Sequence, residues 1–279
     1  MLSSFLCTMN SISSLYPQYK PERQFFLLAG PCVIESPQVL RETASELKRL
    51  SIKYEIPLIF KSSFTKANRS SLHSFTGVGD QVALEWLANV GQEFQVPLVT
   101  DIHQESDAAL AAPYVDMLQI PAFLCRQTSL LVAAAKTGKM VNIKKGQFLS
   151  PDSMQFAVQK VVEAGNEQVF ITERGTTFGY QDLVVDFRAF PIMNAFGKPT
   201  IMDCTHALQQ PNQLSGVTGG QPHLIETMAK CGLAAGAHGL FIETHPNPAE
   251  AKSDGANMLE LSRMDALLAK LVQLKHALQ

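Results

Sequence analysis

Short apolar runs alternate along this chain with longer stretches in which apolar residues recur at helical spacing. The runs lack the regular alternation of polar and apolar residues that a half-exposed antiparallel strand shows. Short continuous apolar runs are typical of parallel strands that are buried on both faces of a sheet. We predict eight such strands, at Phe25–Gly30, Pro57–Phe60, Pro97–Thr100, Asp116–Ile120, Met140–Lys144, Gln168–Thr172, Pro199–Met202 and Gly239–Glu243.

The stretches between the runs begin and end with helix signals. Ser36-Pro37 and Ser150-Pro151 each place an N-cap hydroxyl before a proline, whose missing N–H group costs nothing at the first helical position. Gly165 follows the second of these stretches, where helices commonly end in a left-handed residue. Apolar faces at helical spacing are formed there by Met154, Ala157, Val158, Val161 and Val162, and in the last helix by Leu261, Met264, Leu268 and Leu271.

Eight strand–helix units in succession predict an α/β protein that forms a closed (β/α)8 TIM barrel in a single domain. Such a barrel commonly needs roughly 250 residues, and this chain has 279, of which 46% are hydrophobic and 17% are charged. We assign residues 25–279 to the barrel and residues 1–24 to an irregular N-terminal leader or cap. An open doubly wound sheet is the competing architecture, because it uses the same order of elements.

Composition argues against several classes of protein. The formal net charge of −2 is unlike that of nucleic-acid-binding proteins, which normally carry a clustered basic excess. No run approaches the roughly 20 apolar residues that a membrane helix requires, and residues 1–16 lack the positively charged start of a signal peptide. Five cysteines without metal-like or redox spacing are typical of reduced thiols. We therefore expect a cytoplasmic protein with no nucleic-acid and no membrane partner.

Polar residues stand where the predicted strands end. In (β/α)8 barrels, the active site is built at the C-terminal ends of the strands. A buried ionisable group costs several kcal/mol unless it is paired, so polar groups at every strand exit favour a functional site. The residues at these positions include Cys32, Lys61, Asp101, His103, Gln119, Lys144, Lys145, Glu173, Arg174, Asp203, Thr205, His206, Glu243 and His245.

Cations are concentrated at this predicted mouth. The stretch Lys61–Ser71 follows the second run and interleaves Lys61, Lys66 and Arg69 with hydroxyl and amide side chains. These charges repel one another unless an anion lies among them or all of them are solvated. Together with Lys144 and Arg174, they would ring the mouth and could bind phosphate and carboxylate groups.

Closure of the barrel also predicts a metal site. The eighth strand would pair with the first, so that Cys32, His206 and Glu243 become neighbours. Asp254, in the polar loop that follows the eighth run, can fold over the same mouth. A thiolate, an imidazole and two carboxylates suit one divalent transition metal (Fe, Zn, Mn or Co) rather than Mg or Ca. Taken singly, each residue also fits a structural role, such as a core cysteine or a hydrogen-bonded histidine.

Seven motifs together closely resemble the family of 3-deoxy-D-manno-octulosonate 8-phosphate synthases, also called 2-dehydro-3-deoxyphosphooctonate aldolases. The motifs are Ala29–Ser36, Lys61–Ser71, Gln119–Phe123, Arg126–Thr128, Phe178–Tyr180, Asp203–Leu208 and Phe241–Pro246. The resemblance runs from about Phe25 to the C-terminal helix. It implies a homotetrameric (β/α)8 barrel, a cytoplasmic transferase of lipopolysaccharide biosynthesis. Such an enzyme condenses phosphoenolpyruvate with arabinose 5-phosphate and releases phosphate.

The resemblance also implies roles for individual residues. The phosphoenolpyruvate site falls on Lys61, Lys66, Lys144 and Arg174, and the pentose phosphate contacts fall on Asn68, Arg69, Ser70 and, from a neighbouring subunit, Arg126. Asp101 and Gln119 are further candidate substrate contacts, and Lys66, His206 and Asp254 are the candidate catalytic residues. The family has a metal-independent branch with Asn at the first strand exit and a metal-dependent branch with Cys. Cys32 matches the latter, and His206, Glu243 and Asp254 complete the ligand set.

Other functions stay open beside this one. The synthase of the aromatic pathway, which uses erythrose 4-phosphate, carries a Lys-Pro-Arg-Thr type of signature where this chain has Lys66-Ala67-Asn68-Arg69-Ser70, and this disfavours it. A Schiff-base aldolase would need a desolvated lysine among neighbouring acids. A non-catalytic sugar-phosphate-binding protein would bind the same ligands without turnover. The loop Gln209–Gln221, rich in Gly, Ser and Gln, is either a lid over the mouth or an ordinary surface loop.

Overall fold

Eight parallel strands close into a barrel in the computed structural model, which describes residues 10–67, 73–180, 182–210 and 219–279. Each strand pairs with the next one in the chain, and the last pairs with the first. This closure confirms the (β/α)8 barrel and excludes the open doubly wound sheet. The strands are β1 Phe26–Gly30, β2 Leu58–Lys61, β3 Leu98–Asp101, β4 Met117–Ile120, β5 Met140–Lys144, β6 Val169–Glu173, β7 Thr200–Asp203 and β8 Gly239–His245.

One helix of the outer layer follows each strand. These helices are α1 Pro37–Tyr54, α2 Asp80–Phe94, α3 Glu105–Ala111, α4 Thr128–Lys136, α5 Met154–Glu163, α6 Ala189–Asn194, α7 Ile225–Ala234 and α8 Met264–Ala277. The N-cap predicted at Ser36 is confirmed, because its side chain accepts a hydrogen bond from the Val39 N–H group. Among the described helices, none is long and apolar enough to cross a membrane.

The start predicted for α5 is wrong. The Ser150 hydroxyl hydrogen-bonds the Ser153 hydroxyl at 2.9 Å, and the Met154 N–H group donates to the Pro151 carbonyl. The chain therefore makes tight turns over residues 151–153, and the α-helix begins at Met154. The predicted left-handed glycine is confirmed at Gly165, which has a φ angle of +95°.

The apolar residues form two layers of core. The larger lies between the strands and the helices. The smaller fills the barrel interior near the N-terminal ends of the strands, around Phe26, Met117 and Phe170. Ile12 and Tyr19 pack into this inner cluster from outside the barrel. Ile12 lies in a helix, Asn10–Leu15, where the sequence predicts an irregular segment.

Backbone pairing between β1, β2 and β8 sets the position of the first strand exit. Gly30 lies opposite Glu243 in the register of β1 and β8. A Cβ atom at Gly30 would lie 2.0 Å from the Lys61 carbonyl oxygen, so only glycine allows this close approach. Pairing continues beyond the strands, because the Ser63 N–H group donates to the Cys32 carbonyl at 3.3 Å. Cys32 is thus held at the mouth beside Glu243 and Lys61.

Short two-stranded pairings surround the same end of the barrel. Thr176–Phe178 pairs with Asp182–Val184 in an antiparallel ribbon after β6. Gln209–Gln210 pairs with Gly219–Gly220, so the described ends of the predicted lid lie side by side. Residues 211–218 of that loop lie outside the described residues.

Candidate active site

A cavity of about 510 Å³ lies at the C-terminal ends of the strands. It is lined by eight ionisable groups that sequence reasoning had placed at strand exits or beyond them: Lys61, Lys66, Asp101, His103, Lys144, Arg174, His206 and Asp254. Lys61, Asp101 and Asp203 are the last residues of their strands rather than the first residues after them. The hydrogen-bonded sheet therefore holds them.

Lys61 is the centre of one buried charge cluster. Its Nζ atom lies 2.6 Å from Glu243 Oε1 and 3.7 Å from Asp101 Oδ2, and it donates to the Cys32 carbonyl at 3.1 Å. Burial alone would lower the pKa of Lys61, but Glu243 and Asp101 raise it above its ordinary value. Burial likewise opposes ionisation of Glu243, yet Lys61 and His206 lower the pKa of Glu243 to about 2. The ion pair is therefore charged at neutral pH.

Lys144, Asp203 and His206 form a second cluster. Asp203 Oδ2 lies 2.7 Å from Lys144 Nζ and 2.8 Å from His206 Nδ1. Asp203 also accepts from the N–H groups of Thr205 and His206. Burial raises the pKa of Asp203, but His206 and Lys144 outweigh it and hold this pKa well below its usual range. Burial lowers the pKa of Lys144, and Asp203 offsets this only in part.

A chain of hydrogen bonds runs across the barrel interior from β6 to β3. The Thr172 hydroxyl donates to Asn142 Oδ1 at 2.7 Å, and Asn142 Nδ2 donates to Gln119 Oε1 at 2.9 Å. Gln119 Nε2 then donates to Asp101, which also accepts from the Ser63 hydroxyl. Each group in this series donates toward Asp101, so the carboxylate of Asp101 is the final acceptor of the series.

Lys66 and Arg174 complete the cationic lining. Lys66 Nζ lies 3.0 Å from the Ser63 hydroxyl. Arg174 Nη2 donates to Gln209 Oε1 at 2.7 Å, whereas its buried Nη1 atom has no hydrogen-bond partner among the described residues. Burial lowers the pKa of Arg174, but a guanidinium group remains charged at neutral pH. Arg174 therefore offers the cavity an unused donor.

Three of the four predicted metal ligands approach one another closely. Ligand atoms of Cys32, Glu243 and Asp254 all lie within 4.8 Å of one another. The fourth, His206, places its Nε2 atom 3.4 Å from Glu243 Oε2. That carboxylate oxygen is buried and accepts no hydrogen bond from the described residues. A buried carboxylate oxygen close to an imidazole nitrogen, in a cluster that includes a thiol, is a set of donors that suits a divalent transition metal.

Three of the predicted pentose phosphate contacts are not described by the structure, and the fourth lies away from the cavity. Asn68, Arg69 and Ser70 lie outside the described residues, although the preceding Ala67 lines the cavity. Arg126 is exposed and lies beside a separate depression with Phe156 and Lys160.

Ser63, Asn142 and Thr172 take part in the site although sequence reasoning did not select them. The alternation of side chains between the two faces of a strand could have identified Asn142 and Thr172 from the sequence. Asn142 is two residues before Lys144 and so lies on the same face of β5. Thr172 is likewise two residues before Arg174, at the end of β6.

The fold and the cavity define a (β/α)8 barrel enzyme that gathers cations and a thiol–imidazole–carboxylate cluster at its catalytic end. The chain belongs to the DAHP synthetase I family, whose model matches residues 21–279. The 2-dehydro-3-deoxyphosphooctonate aldolase of Brucella anthropi is 51% identical over 248 residues, which cover 89% of this chain and 90% of that protein. The protein of the same name from Brucella ovis is 52% identical over 246 residues, covering 88% and 89%. These similarities confirm the resemblance drawn from the seven motifs.

Proposed function

We propose that this enzyme condenses phosphoenolpyruvate with arabinose 5-phosphate and water to give 3-deoxy-D-manno-octulosonate 8-phosphate and phosphate. The strongest support is 51% identity over 89% of the chain to a protein named 2-dehydro-3-deoxyphosphooctonate aldolase. The aromatic-pathway alternative, which uses erythrose 4-phosphate, is not favoured by these relatives. As a part of this proposal, the reaction serves lipopolysaccharide precursor synthesis in the cytoplasm.

The cationic lining of the cavity suits phosphoenolpyruvate, which carries a carboxylate and a phosphate. Lys61, Lys66, Lys144 and Arg174 hold these two groups, and the unused Nη1 donor of Arg174 is available for one of them. A carbon–carbon bond then forms between C3 of phosphoenolpyruvate and C1 of the pentose, water adds at C2, and phosphate leaves C2. Holding the two substrates in register contributes on the order of 7–11 kcal/mol to lowering the barrier.

The chain's own acids and bases surround the reacting carbons. Asp203 holds the imidazole of His206 through Nδ1, so that Nε2 faces Glu243 and the cavity. Lys66 and Asp254 line the same cavity and are the other residues to which we assign catalytic roles. Asn68, Arg69 and Ser70 bind the phosphate of the pentose in this proposal. Arg126, which is exposed outside the cavity, would serve a neighbouring subunit of a homotetramer.

A divalent transition metal fits beside these groups, with Cys32, His206, Glu243 and Asp254 as its ligands. Burial, together with the charge of Glu243, raises the pKa of Cys32 to about 12, so this thiol stays protonated unless a cation displaces its proton. The Asp203 carboxylate on His206 Nδ1 is the type of partner that orients a metal-binding histidine. When bound, the metal would supply Lewis-acid stabilisation of charge next to the reacting carbons.

Phosphate release tests the reaction directly. Purified enzyme is expected to release phosphate from phosphoenolpyruvate when arabinose 5-phosphate is present, and not when it is omitted or replaced by erythrose 4-phosphate. Binding of both ligands without release would identify a non-catalytic sugar-phosphate-binding protein instead. Covalent trapping by borohydride would identify a Schiff-base enzyme, for which Lys144 is the candidate because burial lowers its pKa.

Chelation tests the metal assignment. A strong chelator should abolish turnover, and Fe, Zn, Mn or Co should restore it. Cys32 is only 1% exposed, so the rate at which it is alkylated is a poor measure of metal binding. A thiolate-to-Co(II) absorption band that disappears in Cys32→Ser reports the bond itself. Full turnover after exhaustive chelation would refute the metal while leaving the reaction intact. Cys32→Asn, which carries the residue of the metal-independent branch, should lose the band and can keep some metal-free turnover.

A further inference from the structure

Lys145 follows Lys144 directly, but its ammonium group is buried away from the cavity lining. The side chain is 1% exposed. Five oxygen atoms lie within 3.5 Å of Nζ, namely Thr176 Oγ1 at 3.1 Å, Leu149 O at 3.2 Å, Gly146 O and Gly175 O at 3.4 Å, and Glu173 Oε1 at 3.5 Å. A cation so enclosed by oxygens does not interact with solvent or with a ligand in the cavity.

These five oxygens belong to two different loops. Gly146 and Leu149 lie in the loop after β5, and the other three lie at and after the end of β6. The Lys145 N–H group also continues the β5–β6 pairing by donating to the Thr172 carbonyl at 2.8 Å. Beyond that point the Thr177 N–H group donates to the Gln147 carbonyl at 3.0 Å, a single further backbone bond between the two segments. The ammonium group lies between them and contacts both.

Both loops carry residues that line the cavity. Gln147 and Phe148 belong to the first loop, and Arg174 and Thr177 belong to the second. Lys144 immediately precedes Lys145, and Arg174 lies between two residues, Glu173 and Gly175, that contact the Lys145 ammonium group. The contacts of Lys145 therefore join, together with backbone pairing, the two segments that carry the cations at positions 144 and 174.

The burial of Lys145 beside Glu173 costs free energy, so a gain in stability alone is a weak reason for it. Burial lowers the pKa of Lys145 and raises the pKa of Glu173, so both groups resist being charged where they lie. Well-packed apolar residues of similar volume are often as stabilising as a buried ion pair. A buried ammonium group, however, can bind several carbonyl oxygens at once, which an apolar side chain cannot do.

We propose that Lys145 is a positioning residue that holds Lys144 and Arg174 at the separation required by the anionic substrate. The identity of that substrate as phosphoenolpyruvate rests on the proposed function. The geometric role of Lys145 does not, because it concerns only how two cavity cations are held.

Lys145→Met tests this role, and Lys198→Met is its matched control. Lys198 makes a similar contact, with Glu167 Oε2 at 2.6 Å and the Glu167 carbonyl at 2.8 Å, but before β6 and β7, at the opposite end of the strands. Phosphoenolpyruvate affinity is measured by calorimetry without the second substrate. Lys145→Met should weaken it at least tenfold, and Lys198→Met should leave it within twofold. Equal affinity in wild type and Lys145→Met would overturn the proposal.

A double variant separates positioning from the cost of an unpaired charge. Lys145→Met leaves Glu173 buried without its cation, which lowers the melting temperature. Lys145→Met/Glu173→Met removes the whole pair and should recover much of that melting temperature while affinity stays weak. Recovery of both would show that Lys145 merely neutralises Glu173. If Lys145→Met does not fold, Thr176→Val removes the shortest contact without leaving a charge, and should weaken affinity about twofold to fivefold.

Inorganic phosphate, titrated in parallel, makes failure of the two proposals distinguishable. If wild type binds phosphoenolpyruvate but does not turn it over with arabinose 5-phosphate, the proposed function fails and the comparison of variants still applies. If wild type binds only inorganic phosphate, weaker phosphate binding in Lys145→Met supports the positioning role. Unchanged phosphate binding in that variant refutes it.

Discussion

The two ends of the barrel interior use the same strands for opposite purposes. At the N-terminal end, Phe26 and Phe170 pack edge to face with ring centroids 5.9 Å apart, and Ile12 and Tyr19 cover them. At the C-terminal end, the inward positions carry ionisable groups that are just as buried, such as Lys61 and Glu243. The first end gains stability from every apolar side chain removed from water. At the second end, the removal of charged groups from water costs free energy, which the pairing of opposite charges must offset.

Phe241 marks the boundary between the two ends. Its ring belongs to the inner apolar cluster, yet Lys144 Nζ lies 3.6 Å from the ring centroid and the His206 ring lies 5.5 Å away. A cation over an aromatic face is attracted by the ring quadrupole. The apolar core therefore also contacts the mouth of the barrel, because the Phe241 ring lies against Lys144 and His206. Changes at the two ends should nevertheless have separable effects on stability and on activity.

Phe170→Ala should cause the largest loss of stability. The side chain is fully buried in the inner cluster, and such a truncation removes apolar burial and leaves a cavity, at a cost of about 3–5 kcal/mol. Denaturant unfolding measures this loss. Phe170→Leu fills much of the space and should cost less. Phosphoenolpyruvate affinity of the folded Phe170→Ala variant should stay within about twofold of wild type, and a larger change would mean that the two ends are coupled.

Lys144→Met should have the converse effect, with activity lost and the fold kept. Removal of one positioned donor to a charged reacting group costs about 10²–10³-fold in rate, or about 2.7–4 kcal/mol. The variant should fold, because Asp203 keeps hydrogen bonds from His206 and Thr205. Steady-state kcat/KM and circular dichroism together check the prediction. Activity within tenfold of wild type would contradict the placement of Lys144 in the substrate site.

The same contrast explains how far the sequence alone could predict the molecule. The apolar runs and the turn residues predict the barrel, because burial on both faces leaves a continuous apolar pattern in each strand. Groups at strand exits are predictable because every exit of a closed barrel opens onto one mouth. Gly30, Cys32 and Glu243 could be placed together only through the closure of β8 onto β1.

Residues inside the strands were harder to predict. Asn142 and Thr172 lie within runs that read as apolar, and only the three-dimensional order of strands shows that they connect Gln119 to β6. The proposed role of Lys145 depends on the direction of one side chain at the end of β5, and three of its five contacts are carbonyl groups, which no side-chain pattern encodes. The late start of α5 has a similar cause, because Ser150 bonds another side chain instead of capping the helix.

The pH dependence of stability should also differ between the ends. His238 precedes β8 at the apolar end, where its Nδ1 atom accepts from the Thr200 N–H group at 3.1 Å. Burial, helped by Lys275, lowers the pKa of His238 from 6.5 to about 4. As the pH falls, His238 is therefore protonated near pH 6.5 in the unfolded chain but only near pH 4 in the folded chain. The contribution of His238 to stability is complete above pH 6.5 and is lost as the pH falls toward 4, by roughly 3 kcal/mol.

His238→Asn keeps an acceptor for Thr200 and removes the titration. Its free energy of unfolding should be flatter between pH 6.5 and pH 4 than that of wild type, measured by urea titration at several pH values. His103 at the mouth contributes in the same direction, because burial also lowers its pKa, so a residual slope is expected. An unchanged slope in His238→Asn would show that His238 is protonated in the folded state. Glu243 adds to this residual slope near pH 4, because its pKa falls from 4.5 to about 2 on folding, so the unfolded chain is protonated first.

The smallest expected effects compare two tyrosines of the N-terminal segment. The Tyr16 hydroxyl donates to the Leu58 carbonyl, whereas the buried Tyr19 hydroxyl has no hydrogen-bond partner among the described residues. Tyr16→Phe loses a hydrogen bond and should cost about 0.5–1.5 kcal/mol. Tyr19→Phe removes a hydroxyl that was desolvated without compensation, so it should be neutral or slightly stabilising. Denaturant unfolding of both variants gives the sign of each change, and activity serves as the control, because neither hydroxyl lies near the mouth. A clear loss of stability in Tyr19→Phe would show that its hydroxyl has a partner, such as an ordered water, beneath the barrel.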